Sequence, residues 1–157
     1  MSQDELQPLS GSVGYLLKQA TTSLNAAMGA ALRPLALSVS QYSCLELLSR
    51  NPDQSNAELS RGAFVTPQSM NEILRGLQDR HLVERPDIAP MGRARPTRLT
   101  LEGQEKVDRA RFALKPVEHL LLDGIAEPNR QRLSVDLRSI VQTLESGVKA
   151  VPRSTPA

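Results

Sequence analysis

The sequence predicts a mainly α-helical fold with one small β-hairpin. Three observations lead to this prediction. Apolar residues at spacings of three and four form long stripes near both ends of the chain. Two short segments with helix-capping residues follow one another closely in the middle. Two short β-type segments then flank a connection that contains prolines and a glycine.

Composition restricts the classes of protein that the chain can belong to. Its 157 residues, of which 39% are hydrophobic and 3% aromatic, are enough for one domain with an aliphatic core. No run of 18 apolar residues and no export-type leader occurs, so we expect a soluble, cytoplasmic protein without membrane contact. Neither a metal-ligand cluster nor a catalytic or phosphate-binding motif occurs, so we expect no metal, no cofactor and no enzyme activity.

Positive charge is concentrated in the middle of the chain. The protein has 19 basic and 17 acidic residues, but residues 61–100 alone contain seven arginines and four acidic side chains. Arginine suits paired hydrogen bonds to phosphates and guanines better than lysine does. GC-rich coding would explain the number of arginines, but it would not explain where they cluster.

The N-terminal half reads as two helices with clear ends. An apolar stripe runs from Ser12 to about Leu32, where Pro34 stops the helix. Ser38 and Gln41 have capping-box spacing, which predicts a second, short helix that buries Leu45 and Leu48. The residues at 51–54 (NPDQ) are typical of a loop.

Two further helices have the spacing of a helix-turn-helix. Ser55 and Glu58 form another capping box, with Leu59 and Ala63 as the buried positions. Thr66 caps the next helix, and Pro67 occupies its first position, where a missing N–H does no harm. A tight turn around Phe64 and Val65 joins the two helices.

The helix that Thr66 caps has an exposed face with short hydrogen-bonding groups. Its buried stripe is Met70, Ile73, Leu74 and Leu77, and its outer positions are Gln68, Ser69, Asn71, Glu72, Arg75 and Asp79. Glutamine, serine, asparagine and arginine can reach base edges and phosphates from the first turns of a helix in a major groove. The alternative is an ordinary solvated face, and Glu72 lends it some weight.

The segments 82–85 (LVER) and 98–101 (RLTL) predict two short strands joined by a long connection. His81 stands before them, where the end of a helix favours glycine. The connection carries Arg93 and Arg95, and Arg98 opens the return strand. A basic, extended tip can reach a minor groove or the DNA backbone, although it could also serve only to cover the fold.

Two long amphipathic helices follow the hairpin. Their stripes are Val107, Ala110, Leu114, Val117 and Leu121, and then Leu133, Leu137, Ile140 and Leu144. Residues 123–129 predict a loop between them, and Pro116 predicts a kink in the first. Such narrow stripes indicate a dimer more than a monomeric bundle.

Four blocks stand in the order and spacing of a known family. They are LSVSQYSCLELL (37–48), AELS (57–60), LQDRHLVER (77–85) and LTLEGQE (99–105). With these blocks the chain resembles the MarR family of winged helix-turn-helix transcriptional regulators over about residues 10–147. It departs from the family at His81, where a glycine is usual, and at Met91, where the wing usually has an aspartate.

The resemblance implies a single domain over residues 10–147. Its winged helix-turn-helix core spans 55–101, its dimerisation helices span 10–34 and 102–147, and residues 148–157 form a flexible tail. The implied function is that of a homodimeric repressor that binds a palindrome in double-stranded DNA and responds to a phenolic or aromatic-acid effector. Arg93 matches the wing arginine of the family, and Arg95 is expected to contact a phosphate.

The expected site residues therefore fall into two sets. The DNA-binding set is Thr66, Pro67, Gln68, Ser69, Asn71, Arg75, Arg93 and Arg95, and the effector set is Tyr15, Met28, Tyr42 and Phe112. Two other functions stay open. The winged helix could dock a protein without binding specific DNA, or Cys44 could act as a thiol redox sensor, although a buried and inert thiol is favoured at its place in the second helix.

Overall fold

A computed structural model describes residues 9–86 and 96–150, and these residues form six α-helices and one antiparallel hairpin. The mainly α-helical fold with a β-hairpin is confirmed. The chain divides into two compact units, Met1–Val117 and Glu118–Ala157. The elements are α1 (Val13–Leu32), α2 (Val39–Arg50), α3 (Asn56–Gly62), α4 (Pro67–Asp79), β1 (Val83–Glu84), β2 (Arg98–Leu99), α5 (Leu101–Asp123) and α6 (Glu127–Ala150).

The helix starts in the middle of the chain are set by side-chain caps. The Gln41 N–H donates to Ser38 Oγ at 3.1 Å, and the Ser38 N–H donates to Gln41 Oε1 at 3.0 Å. Ser55 and Glu58 form the same reciprocal pair at the start of α3. Each cap satisfies backbone donors that the first helical turn leaves unpaired, and each stabilises the fold by about 1 kcal/mol. Both predicted capping boxes are confirmed.

Three helix ends close in the same way without a glycine. Ala36, Phe64 and His81 have positive φ angles of 53°, 57° and 56°. At the end of α4, the His81 N–H donates to the Gln78 carbonyl at 2.9 Å and the Leu82 N–H donates to the Leu77 carbonyl at 3.0 Å. These two bonds form a Schellman motif, whose left-handed position usually holds glycine. His81 therefore ends α4 in the conformation that the usual glycine would adopt.

The core of the first unit collects apolar residues from α1 to α5. The helix-turn-helix contributes a predicted stripe in which Met70, Leu74 and Leu77 are fully buried, while Ile73 is partly buried. The other buried apolar side chains are Leu32, Leu35, Leu37, Cys44, Leu45, Leu48, Leu59, Leu82, Val83, Val107, Ala110 and Leu114. Because this stripe of α4 is buried, the opposite, polar face of the helix is exposed to solvent.

The end of α4, the hairpin and the start of α5 meet at one junction. The Thr100 N–H donates to the Leu82 carbonyl at 3.1 Å, and Thr100 Oγ1 donates to the His81 carbonyl at 2.6 Å. The same hydroxyl accepts the Gly103 N–H at 3.0 Å, so Thr100 caps α5. A Cβ atom on Gly103 would lie 2.0 Å from the Leu82 carbonyl oxygen. Only glycine allows α5 to approach the backbone this closely.

Three predicted boundaries are wrong in detail. The strands pair only at Val83 with Leu99 and Glu84 with Arg98, and Leu101 opens α5 because the Thr100 side chain caps the helix there. Helix α6 begins at Glu127 rather than after 129, since a proline is tolerated in the first helical turn. It ends at Ala150, beyond the predicted boundary at 147, and the rest of the predicted tail, residues 151–157, lies outside the described residues. Helix α5 continues through Pro116 to Asp123.

A charged cluster joins α5 to α2. Arg111 Nε donates to Glu46 Oε2 at 2.9 Å, Arg111 Nη2 donates to Ser49 Oγ at 2.9 Å, and Arg50 Nε donates to Glu46 Oε1 at 2.6 Å. The Glu46 side chain is only 16% exposed. Burial alone would raise the pKa of Glu46, but the hydrogen bonds from Arg111 and Arg50 outweigh burial and lower this pKa below its ordinary value.

We predict that Gly103→Ala destabilises the protein by about 3 kcal/mol, because the new methyl group forces α5 away from Leu82. The matched control is Gly76→Ala within α4, where a Cβ would meet nothing within 4 Å. Alanine should raise the free energy of unfolding there by about 0.5–1 kcal/mol. Urea unfolding gives both free energies. Equal effects of the two substitutions would contradict the close approach at the junction.

We predict that Glu46→Gln lowers the free energy of unfolding at neutral pH by about 1 kcal/mol, since it removes a carboxylate that two arginines contact near the surface. The folded-state pKa lies below the unfolded value of about 4.3, so this stabilisation is present above that pH and is lost as the pH falls through the folded pKa. Urea titrations over that range should show a weaker acid dependence for Glu46→Gln than for the control Glu118→Gln. Identical profiles for the two variants would be inconsistent with this assignment.

Candidate nucleic-acid interface

The cap and the first three turns of α4 present a polar, solvent-exposed surface. Six residues of the predicted DNA-binding set are exposed there, namely Thr66, Pro67, Gln68, Ser69, Asn71 and Arg75. The first turn contains no acidic residue. The positive end of the helix dipole at such a start attracts phosphate oxygens. The structure thus brings these six residues together on one accessible helix start.

This helix start is held in place from both sides. Thr66 Oγ1 accepts the Ser69 N–H at 3.1 Å and donates to Ser69 Oγ at 3.0 Å. On the opposite face, the fully buried Met70, Leu74 and Leu77 pack into the core. The polar groups at the start of α4 therefore stand on a rigid support, which a base-reading surface needs.

Asn71 is connected to the preceding helix. The Asn56 side-chain amide donates to Asn71 Oδ1 and also lies 3.4 Å from the Pro67 carbonyl oxygen. An asparagine that reads adenine with two hydrogen bonds uses both its oxygen and its nitrogen. Because Asn56 occupies the oxygen, Asn71 has its amide N–H groups left to donate to a base acceptor or a phosphate.

The base of the wing is held by an ion pair that the sequence did not reveal. The Arg98 guanidinium donates to both carboxylate oxygens of Asp53, with Nη2 at 2.8 Å from Oδ2. The hydrogen bond from Arg98 lowers the pKa of Asp53. The backbone adds an isolated bridge, in which the Asp53 N–H donates to the Thr97 carbonyl at 3.1 Å and the Thr97 N–H donates to the Gln54 carbonyl at 3.2 Å. Arg98 therefore stabilises the hairpin through its ion pair with Asp53.

Arg93 and Arg95, the other two arginines of the wing, lie outside the described residues, as does Met91. Their DNA contacts stay predictions. The ion pair at Arg98 and the pairing of β1 with β2 fix the strands that flank this segment in the sequence.

Comparisons with known proteins agree with this arrangement. A model of the MarR family matches residues 37–88. The HTH-type transcriptional repressor Rv2887 of Mycobacterium tuberculosis is 38% identical over 119 residues, which cover 76% of this chain and 86% of that protein. A solved structure of Rv2887 with DNA covers 83% of this chain and 98% of its own, with a TM-score of 0.69 and 34% identity.

The chain belongs to the MarR family. It is therefore a DNA-binding transcriptional regulator and not an enzyme. A solved structure of the repressor CouR with a 23-mer DNA duplex is also similar, with a TM-score of 0.78 and 26% identity over 89% of this chain and 99% of that chain. CouR comes from Rhodococcus jostii RHA1. Among the described residues, no helix is long and apolar enough to cross a membrane.

The four residues of the predicted effector set have different surroundings in the single chain. Met28 and Tyr42 are partly buried against the core, whereas Tyr15 and Phe112 are exposed. Tyr15 and Met28 are separated by about 20 Å along α1, at a rise of about 1.5 Å per residue. A small aromatic acid cannot span that distance within one chain. Met28 and Tyr42 both pack against the core, and the effector set stays a prediction.

Cys44 lies in the hydrophobic core of the first unit. Its side chain is fully buried, and burial raises the pKa of its thiol to about 12. A redox sensor needs an accessible thiolate, since the thiolate is the species that oxidants attack. The structure favours the buried, inert thiol over the redox sensor.

Sequence reasoning missed three features of this surface. Asp53 stood in a segment interpreted only as a loop, Asn56 only as part of a capping segment, and Phe64 only as part of a turn. The partners Asp53 and Arg98 are 45 positions apart and Asn56 and Asn71 are 15 apart, so neither pair follows a helical or strand period. Only the left-handed turn at Phe64 leaves a trace in the sequence, as a bulky residue in a place that favours glycine.

Proposed function

We propose that the protein is a homodimeric repressor that binds a palindromic operator and is released by a small aromatic acid. The observation that carries this proposal is the exposed start of α4, whose first turn has no acidic residue and which is supported on a buried stripe in a MarR fold. A two-fold dimer presents this surface twice, which requires two equivalent half-sites in the DNA. The expected place of action is the cytoplasm, where the DNA of its bacterial relatives lies.

The DNA contacts divide between the helix and the wing. Gln68 and Ser69 would donate and accept hydrogen bonds at base edges in the major groove, and Asn71 would donate from its amide N–H groups. Thr66 and Arg75 would contact phosphates. Pro67 sets the helix start and contributes no N–H of its own. Arg93 and Arg95 would bind the minor groove or the backbone from the wing, where arginine is favoured by the negative potential.

Uncovered apolar side chains support the dimer. Near the start of α1, Val13 and Leu16 are 63% and 47% exposed, and in α6 the stripe residue Leu144 is 62% exposed. Apolar stripes of this kind lose their contact with water only against a partner. We therefore assign residues 10–34 and 102–150 to dimerisation and the winged helix-turn-helix at 55–101 to DNA.

The effector class follows from what the relatives bind. Rv2887 has been solved with salicylic acid and with p-aminosalicylic acid, and CouR with p-coumaroyl-CoA. All three molecules contain a phenol ring. Met28 and Tyr42 would line the effector site here, and an effector releases DNA only to the extent that it binds the released arrangement more tightly.

We predict that Arg93→Ala and Arg95→Ala each weaken operator binding by roughly tenfold at low salt, because a dimer loses two contacts with each substitution. The slope of log K against log salt concentration should also flatten by about 2, at about 0.9 for each phosphate contact. Fluorescence anisotropy across a salt series measures both quantities. Arg50→Ala is the matched control, because Arg50 lies in α2 outside the segments assigned to DNA and to the dimer and its side chain is 71% exposed. This substitution should leave the slope unchanged.

If both wing variants bind and respond to salt as the unsubstituted protein does, the wing does not contact DNA. A protein-docking module would instead bind random and palindromic DNA with equal, weak affinity.

Salicylic acid added to the operator complex tests the effector class. Release of the DNA supports an aromatic-acid effector, and unchanged DNA affinity at saturating salicylic acid contradicts it.

A further inference from the structure

Phe64 closes α3 in a conformation that phenylalanine seldom adopts. Its φ is 57°, its N–H donates to the Arg61 carbonyl at 3.3 Å, and the Val65 N–H donates to the Ser60 carbonyl at 3.1 Å. This is the Schellman position that glycine occupies at least cost in free energy. The turn therefore holds a bulky ring where a glycine would be easier to accommodate.

The ring contributes almost nothing to the packing of its own chain. Phe64 is 94% exposed, while the next residue, Val65, packs against the core and anchors the turn from the other side. Such a ring is held outward on a fixed support. Contact with another molecule would stabilise this ring, because burial of an aromatic side chain removes a large apolar surface from water.

The position of the ring indicates which molecule covers it. Phe64 precedes the Thr66 cap by two residues, so its Cα lies within about 8 Å of the Cα that starts the exposed polar surface of α4. A DNA duplex seated on that surface brings its major-groove edge to the turn. The C5 methyl group of thymine is the apolar group that a major groove presents, and phenylalanine is one of the residues that contact it.

We propose that Phe64 packs against the C5 methyl group of one thymine in each half-site, beside the bases that the start of α4 faces. This inference rests on the proposed function, because it requires the start of α4 to lie in the major groove. Phe64 then adds sequence preference through an apolar contact, next to the hydrogen-bonding preference of Gln68 and Asn71.

The test is a double-mutant cycle between protein and DNA. Each thymine of the operator is replaced in turn by deoxyuridine, symmetrically in both half-sites, which removes only the methyl group. Phe64→Asn removes the ring and tolerates a left-handed φ, and Phe64→Leu retains an apolar side chain. Thermal unfolding and sedimentation of both variants show whether the fold and the dimer are intact.

At one thymine position, the unsubstituted protein should lose about fourfold in affinity per half-site, or about 15-fold per dimer, since each methyl contact corresponds to about 0.8 kcal/mol. Phe64→Asn should bind the thymine operator as weakly as the unsubstituted protein binds the uracil operator, with no further loss on uracil. Phe64→Leu should keep part of the difference.

An equal thymine preference in Phe64→Asn and in the unsubstituted protein at every position would overturn the inference. Loss of the dimer in Phe64→Asn would also overturn it, since the ring would then belong to a protein contact. If the unsubstituted protein binds no palindromic DNA, the proposed function fails and the inference fails with it. If the unsubstituted protein binds the palindrome and the effects of the Phe64 and thymine substitutions simply add, the proposed function stands and only the thymine contact of Phe64 is contradicted.

Discussion

The close approach of α5 to the backbone at Leu82 is the constraint on which the rest of the DNA-binding arrangement depends. At this point the end of α4, both strands of the hairpin and the start of the long helix α5 share the atoms of Leu82, Thr100 and Gly103. Three hydrogen bonds join His81, Leu82, Thr100 and Gly103 to one another, and they restrain bending at this junction. A movement of the start of α5 would therefore displace the end of α4 and the two hairpin strands with it.

A junction of this kind links a dimer to the DNA. The stripe of α5 begins at Val107, about one helical turn after Gly103, and its first residues pack into the core of the same chain rather than against a partner. The part of α5 that we assign to dimerisation therefore follows the junction along the same helix, and the polar face of α4 ends at the same junction. The charged cluster at Glu46 and Arg111 ties α5 to α2 by a second route. Two such copies related by a two-fold axis would hold their recognition helices at one separation. An effector that favours a different separation would weaken DNA binding.

The sequence predicts the parts of this fold whose causes are local. Capping boxes at Ser38 and Ser55, the Thr66 cap and the buried stripe of α4 follow from short spacings, and the structure has each of them. The predicted end of the second strand was wrong because Thr100 caps α5 instead of extending the strand. Its hydroxyl also donates to the carbonyl of His81, 19 positions earlier, and no local spacing predicts that contact. The pairs Asp53 with Arg98 and Asn56 with Asn71 could not be predicted, because neither charge nor amide groups indicate a partner across a turn. Exposure of Phe64 likewise depends on the path of the chain at the end of α3.

The most direct measurement of the central claim is selection of bound fragments from random DNA by the full-length protein. A rigid two-fold arrangement predicts an enriched palindrome whose half-site centres have one spacing, close to one DNA turn of about 10–10.5 base pairs or 34–36 Å. Shortening or lengthening that spacing by a few base pairs should abolish binding. Enrichment of single half-sites, or of half-sites at variable spacing, would contradict the claim that the junction fixes the recognition helices on a dimer.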